Sequence, residues 1–257
     1  MAVTLDQIKQ LRDMTCVSMT ACKKALEEAG GDMDKAIDVL RKSGEAKSVD
    51  RAARATNQGI VAIKIEGGKA AMTKLLCETD FASRSDDFVK VAEALPEKLL
   101  GGKISDGNKE TQELKDLRMK TGENIQVGDL KIVEGEVLGS YIHTNKKIGV
   151  VVALKGGTVD LAKEVAMHAA ATKPTCVSPD EVAQELVDKE KEIWTEQLSK
   201  EGKPKEIVEK IMMGKEKKFR EENALTKQPF VKDPSKTIEQ FLSEGGASVT
   251  AFYRMAV

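Results

Sequence analysis

The 257-residue chain carries 41 basic and 42 acidic side chains, a net charge of −1, with 40% hydrophobic and 32% charged residues. That balance fits a soluble, folded protein of two or three small domains, or one medium domain with extensions, and excludes a disordered chain. It lacks the basic excess expected of a nucleic-acid or membrane-surface binder. With only 4% aromatic residues, the core has to be built from aliphatic side chains, Ala and Met.

The first nine residues, Met1 to Lys9, reach charged side chains before any apolar stretch forms, so no secretory signal is expected. No run approaches the ~18 apolar residues of a membrane span. Cys16, Cys22, Cys77 and Cys176 form no CxxC pair, and only two histidines accompany them. The expectation is reduced cytoplasmic thiols, no metal site and no cofactor.

In chain order, residues 4–43 read as three short helices. Thr4 and Gln7 suit a capping box ahead of Leu5, Ile8 and Leu11. The second helix runs from about Ser18 to Ala29 and stops at Gly30-Gly31. Asp32 caps the third, with Met33, Ala36, Ile37 and Leu40 as its apolar stripe and Gly44 as its end. A charged linker follows from Glu45 to Gln58.

The period then changes. Ile60 to Ile65 and Lys69 to Cys77 read as two strands joined by Gly67-Gly68. Thr79-Asp80-Phe81 comes next, at a strand-to-helix corner, and Asp86-Asp87 open an amphipathic helix of Phe88, Val91, Ala92 and Leu95 that Pro96 ends or kinks. On spacing alone the corner serves two readings. It is a helix cap with a buried Phe, or a large aromatic presented to a partner from a rigid base. A short helix around Leu114 to Met119 precedes Thr121-Gly122-Glu123-Asn124.

A similar pattern recurs, with strands over Val137 to Ile142 and Ile148 to Leu154, a turn at Gly156-Gly157, and a helix from Leu161 to Ala171. Two such units suggest an α+β core of two related subdomains. His168 falls on the apolar face of that helix, where a core histidine bonded to backbone is expected. His143, after a strand and before a polar turn, suits a contact or a structural role. Ser178-Pro179-Asp180-Glu181 reads as the cap of a helical hairpin. Its first arm carries Val182, Leu186, Ile193, Trp194 and Leu198. Gly202-Lys203-Pro204 reverses the chain, and Ile207, Val208, Ile211, Met212 and Phe219 answer. Val249 to Met255 is a strand that would complete the second sheet.

Catalytic signatures are missing: no GxxxxGK[ST], GxSxG or HExxH occurs. An enzyme would have to use Asp80, Asp86, Asp87 and His143 for acid–base work. The first forty residues, the Thr79-Asp80-Phe81 corner, Gly139-Ser140-Tyr141-Ile142-His143 with Ile148-Gly149-Val150, and the Gly202-Lys203-Pro204 hairpin occur together in one order. In that order they resemble the bacterial elongation factor Ts family, exchange factors of the GTPase elongation factor Tu.

The resemblance implies an α+β protein. Its parts are a three-helix, ubiquitin-associated-like docking domain (1–44), a linker (45–58), core subdomains with antiparallel sheets (59–135; 136–177 with 225–257), and a protruding antiparallel helical hairpin (178–224). It makes Thr79, Asp80 and Phe81 a wedge beside the magnesium site of elongation factor Tu. Arg12, Met19 and Lys23 become docking residues of the first domain, and His143 part of a second contact surface. Three departures from the family pattern stand out: Ala82-Ser83-Arg84 after the wedge, Thr15-Cys16-Val17-Ser18 in place of a Thr-Gly-x-Gly turn, and an end at Val257 without the helical extension many members carry. The expected function is nucleotide exchange without bond chemistry, and the hairpin stripe leaves pairing between copies open. The competing readings are a protein-binding adaptor and a small hydrolase built on Asp80 and His143.

Overall fold

A computed structural model describes residues 3–15, 17–43, 51, 53–200 and 204–257. The helix stop expected at Gly44, half of the 45–58 linker, Cys16 of the first-domain turn, and Gly202 and Lys203 of the hairpin turn lie outside the described residues. The described chain is α+β, in two compact units: Met1–Ala62 with Thr73–Leu130 and Val257, and Ile63–Met72 with Lys131–Ala256. Among the described residues no helix is long and apolar enough to cross a membrane.

The first unit opens with α1 (Leu5–Thr15), α2 (Met19–Glu28) and α3 (Met33–Lys42). Its caps are those written in the sequence. Thr4 and Gln7 bond reciprocally, Gln7 N to Thr4 Oγ1 at 3.2 Å and Thr4 N to Gln7 Oε1 at 3.0 Å, and Asp32 accepts from Lys35 N at 3.1 Å. Ile8, Leu11, Leu26, Ala36 and Leu40 close a small core. Leu5, expected on the same stripe, instead stands exposed in the first turn of α1.

Three strands, β1 (Gln58–Glu66), β2 (Lys69–Cys77) and β3 (Gln126–Glu134), form one sheet with β2 at its centre. Between β2 and β3 lie α4 (Asp80–Arg84), α5 (Asp86–Leu100) and α6 (Gln112–Thr121). Pro96 does not end α5, which continues to Leu100. The missing N–H costs a helical bond, but Leu95, Pro96 and Leu99 are all buried, and that burial offsets it. Two ion pairs tie α5 to α6. Lys98 donates to Glu113 at 2.6 Å and holds that carboxyl down at about 2, and Lys120 pairs with Asp87, lowering the aspartate's pKa.

The second unit holds β4 (Val137–Ile142), β5 (Ile148–Lys155), α7 (Val159–Thr172) and β8 (Ser248–Ala256), its strands in the order β4-β5-β8. The expected closing strand therefore pairs antiparallel with β5. Val150, Val152 and Leu154 of β5 pack on Ala162, Val165, Ala166 and Ala169 of α7. His168 is fully buried. Its Nδ1 accepts from Val231 N at 3.3 Å, so the proton of the neutral ring sits on Nε2 and is donated to Gln228 Oε1 at 3.0 Å. Burial pushes its pKa down, against a smaller opposing effect of the Gln228 bond.

The hairpin consists of α8 (Gln184–Ser199) and α9 (Lys205–Asn223). Its start corrects the sequence reading. Ser178-Pro179-Asp180-Glu181 does not cap the long arm but closes a 3₁₀ turn of its own, Pro179–Glu181, after which buried Val182 is extended. Trp194 and Leu198 lie buried in the seam as expected, joined by Val187, while Leu186 and Ile193 are exposed. Trp194 meets Phe219 edge to face at 5.9 Å, and Lys191 bonds Glu216 at 2.8 Å. Two further elements follow α9 that the sequence reading left unassigned, the small hairpin β6 (Pro229–Phe230) with β7 (Asp233–Thr237), and α10 (Ile238–Glu244).

Candidate functional site: an exposed aromatic on a clamped corner

At the end of β2 the chain leaves the sheet and turns into α4. Thr79 makes that turn. Extended at φ −118°, ψ 155°, it caps α4 by accepting Ala82 N at 3.2 Å. The helix lasts five residues because Ser85 is itself extended (ψ 144°) and caps α5 by accepting Phe88 N at 3.4 Å. Two caps six residues apart thus isolate a single turn. Ala82 and Ser83 are buried beneath it, and Ser83 Oγ donates back to Asp80 O at 2.7 Å.

Phe81 has no place in that packing. It is 83% exposed, whereas Phe88, seven residues on, is fully buried. Of the two readings open at the corner, the helix cap holds and the buried Phe does not. Asp80 pairs with Arg84 at 3.1 Å, so Arg84, one of the departures from the family pattern, contributes a local ion pair.

The corner is held from a distance. The carboxylate of Glu123 accepts from Glu78 N (3.1 Å), Thr79 N (3.2 Å) and Thr79 Oγ1 (2.5 Å). Glu78 returns the arrangement, accepting Asn124 N at 2.6 Å and Arg54 Nη1 at 3.4 Å. Asn124 Nδ2 donates to Arg54 O at 2.7 Å. Gly122, left-handed at φ 71°, ends α6 and turns Glu123 toward the corner. In the sequence Glu123 stands only as part of the Thr121–Asn124 turn, with no role to mark it. The Thr121-Gly122 helix stop was visible, but nothing in the spacing links it to Thr79.

The other expected contact residues sit in ordinary settings. His143 is exposed in the β4–β5 turn, its N bonded to Ile148 O at 2.9 Å, its Nδ1 3.1 Å from Asn145 Oδ1 and its ring edge-on to Tyr141. Met19, at the start of α2, packs partly against the three-helix core. Arg12 and Met19 line one cleft with Val17 and Ser18. Lys23 is exposed and pairs loosely with Glu27 at 3.7 Å. Asp80 finds its polar partner within α4, and His143 finds its own within the β4–β5 turn. Asp86 and Asp87 open α5 as its first-turn acids. Among the described residues no group of three or more His, Cys, Asp or Glu is arranged to hold a metal ion.

The family model described as "Elongation factor TS" matches residues 78–257. Elongation factor Ts of Idiomarina loihiensis is 41% identical over 268 aligned positions, spanning 100% of the chain and 91% of that protein. Those of Aeromonas hydrophila and Francisella tularensis subsp. novicida are each 44% identical over 97% of the chain, covering 89% and 90% of their own lengths. The chain belongs to the elongation factor Ts family.

The segment matching the elongation factor Ts model begins at Glu78, immediately before the corner, and includes Glu123 and His143. The likeness to elongation factor Ts of Idiomarina loihiensis extends through the three-helix segment as well, since it takes in the whole chain.

Proposed function

We propose that the chain binds the translation GTPase elongation factor Tu and accelerates its release of GDP, acting in the cytoplasm during elongation. Thr79, Asp80 and Phe81 act as the wedge beside the magnesium and nucleotide site. Arg12, Met19, Lys23 and His143 supply further contacts. Membership of the elongation factor Ts family supports the partner. One observation carries the wedge: a Phe ring 83% exposed at the start of a helix whose cap is tied down by three bonds to Glu123.

The physical requirement is differential binding. An exchange factor must prefer the GTPase with its magnesium and phosphate contacts disturbed, and nucleotide must then weaken factor binding by the same factor. A thousandfold effect needs about 4 kcal/mol. Moving a Phe ring of roughly 150–250 Å² from water into a partner, at about 25 cal/mol/Å², has that magnitude as a ceiling. No bond is made or broken, so the site needs no base and no nucleophile.

Stopped-flow release of a fluorescent GDP from elongation factor Tu tests the proposal. Large acceleration by the chain is expected. Tight binding without acceleration would support an adaptor instead, and absence of binding would remove the proposed partner.

A further inference from the structure

We infer that Glu123 is the positioning residue of the Phe81 ring. For its consequence in exchange the inference rests on the proposed function, whereas the geometry stands on its own. One carboxylate receives two consecutive backbone N–H groups and a hydroxyl, Glu78 N, Thr79 N and Thr79 Oγ1, across 44 and 45 residues of sequence. Bonds to a charged acceptor are stronger than neutral ones, and three on one group fix an orientation as well as a distance.

The Thr79 hydroxyl is the link to the ring. Its proton goes to Glu123, which leaves its oxygen to accept Ala82 N and start the turn that carries Phe81. Removing the Glu123 acceptor frees that hydroxyl to rotate and strips Glu78 N and Thr79 N of this partner. The loop then loses its fixed exit from β2. A ring that samples many directions has to be ordered again on binding, and that ordering opposes association. The reciprocal bond from Asn124 N to Glu78 Oε1, at 2.6 Å, makes the clamp two-sided. A glutamine at this position can keep its oxygen on the two N–H groups, but its NH₂ then donates to the Thr79 hydroxyl. That reverses one bond and removes the charge, so the clamp is weakened rather than lost.

The test combines two measurements. In the GDP-release assay, Glu123→Ala is expected to lose about tenfold in acceleration, the equivalent of one lost charged hydrogen bond, with Glu123→Gln between it and the wild type. Phe81→Ala/Glu123→Ala is expected to be no slower than Phe81→Ala, because Glu123 acts through the ring. Losses that multiply in the double variant, or wild-type rates in both Glu123 variants, would overturn the inference.

The second measurement needs no partner. Phe81→Trp is placed in a Trp194→Phe background, which removes the one native tryptophan, and its nanosecond anisotropy is followed. Glu123→Ala and Glu123→Gln are expected to enlarge the fast component, and an unchanged component would contradict the clamp. Glu123→Gln carries both tests if Glu123→Ala fails to fold. A wild type that leaves GDP release unchanged would overturn the exchange proposal alone, and the anisotropy still decides the geometry.

Discussion

The two sheets hand the chain to a helix from the same place, the strand at the centre, and they do so in opposite ways. After β2 and after β5 alike a threonine caps the helix: Thr79 accepts Ala82 N at 3.2 Å, and Thr158 accepts Leu161 N at 3.3 Å. Beyond Thr158 the helix runs on for 14 residues, and its link is pressed shut. Gly157, at φ 76°, leaves no room for a side chain, because a Cβ there would come within 2.6 Å of Ala247 Cβ. Beyond Thr79 a second cap stops the helix after five residues and the third residue of the corner, Phe81, points into solvent. The same local signal therefore builds packing in one link and a presented aromatic in the other. The difference lies in where the next extended residue falls and in what anchors the link: close glycine packing in one, a distant carboxylate in the other.

The contrast yields graded predictions. The largest effect is expected at Phe81. Phe81→Ala should lose about a hundredfold to a thousandfold of the acceleration of GDP release, roughly 3–4 kcal/mol. The closed link should behave the other way. Gly157→Ala is expected to cost about 1–3 kcal/mol in urea unfolding, from strain at positive φ and overpacking on Ala247. The folded fraction should keep its exchange activity, and a Gly157→Ala variant of normal stability would break the comparison.

His168 gives a pH test confined to the second unit. Its pKa is lowered in the folded state, so between that value and about 6.5 the unfolded chain binds a proton that the native ring refuses. Stability is therefore fully present above about pH 6.5 and falls as pH drops below it, by at most about 1.4 kcal/mol per pH unit. Urea midpoints read on Trp194 fluorescence from pH 7 to 5 should show that slope, and His168→Gln should flatten it. The smallest effect concerns the central strands themselves. β5 presents valines where β2 carries Thr73, whose buried hydroxyl finds no hydrogen-bond partner among the described residues. Thr73→Val is expected to raise stability by up to about 1 kcal/mol without touching exchange. Loss of stability would mean that the hydroxyl has a partner.

What could be read in advance followed physical range. Caps act over three residues, so Thr4, Asp32 and the Thr79 corner were legible, and the hairpin turns and the amphipathic α5 were legible from period. β3 was missed because Gly128 and Asp129 interrupt it and its residues are mostly exposed. The capping box of Thr237 and Gln240 was present, but only seven residues of helix follow it. In the helical hairpin Val182, Trp194 and Leu198 were legible, while Leu186 and Ile193 were misplaced and Val187 was missed, because counting began from a cap that closes its own turn instead. At the site, the residue types of the corner were readable while the exposure of Phe81 and the grip of Glu123 were not. Both depend on which distant segments the fold brings to the end of β2.

The most direct test of a ring held for a partner rather than for the fold is to measure Phe81→Ala twice, by thermal melting and by GDP release from elongation factor Tu. A melting temperature close to that of the wild type is expected, together with loss of most of the acceleration. A melting temperature lowered by several degrees, or acceleration that survives the substitution, would contradict a ring held for a partner.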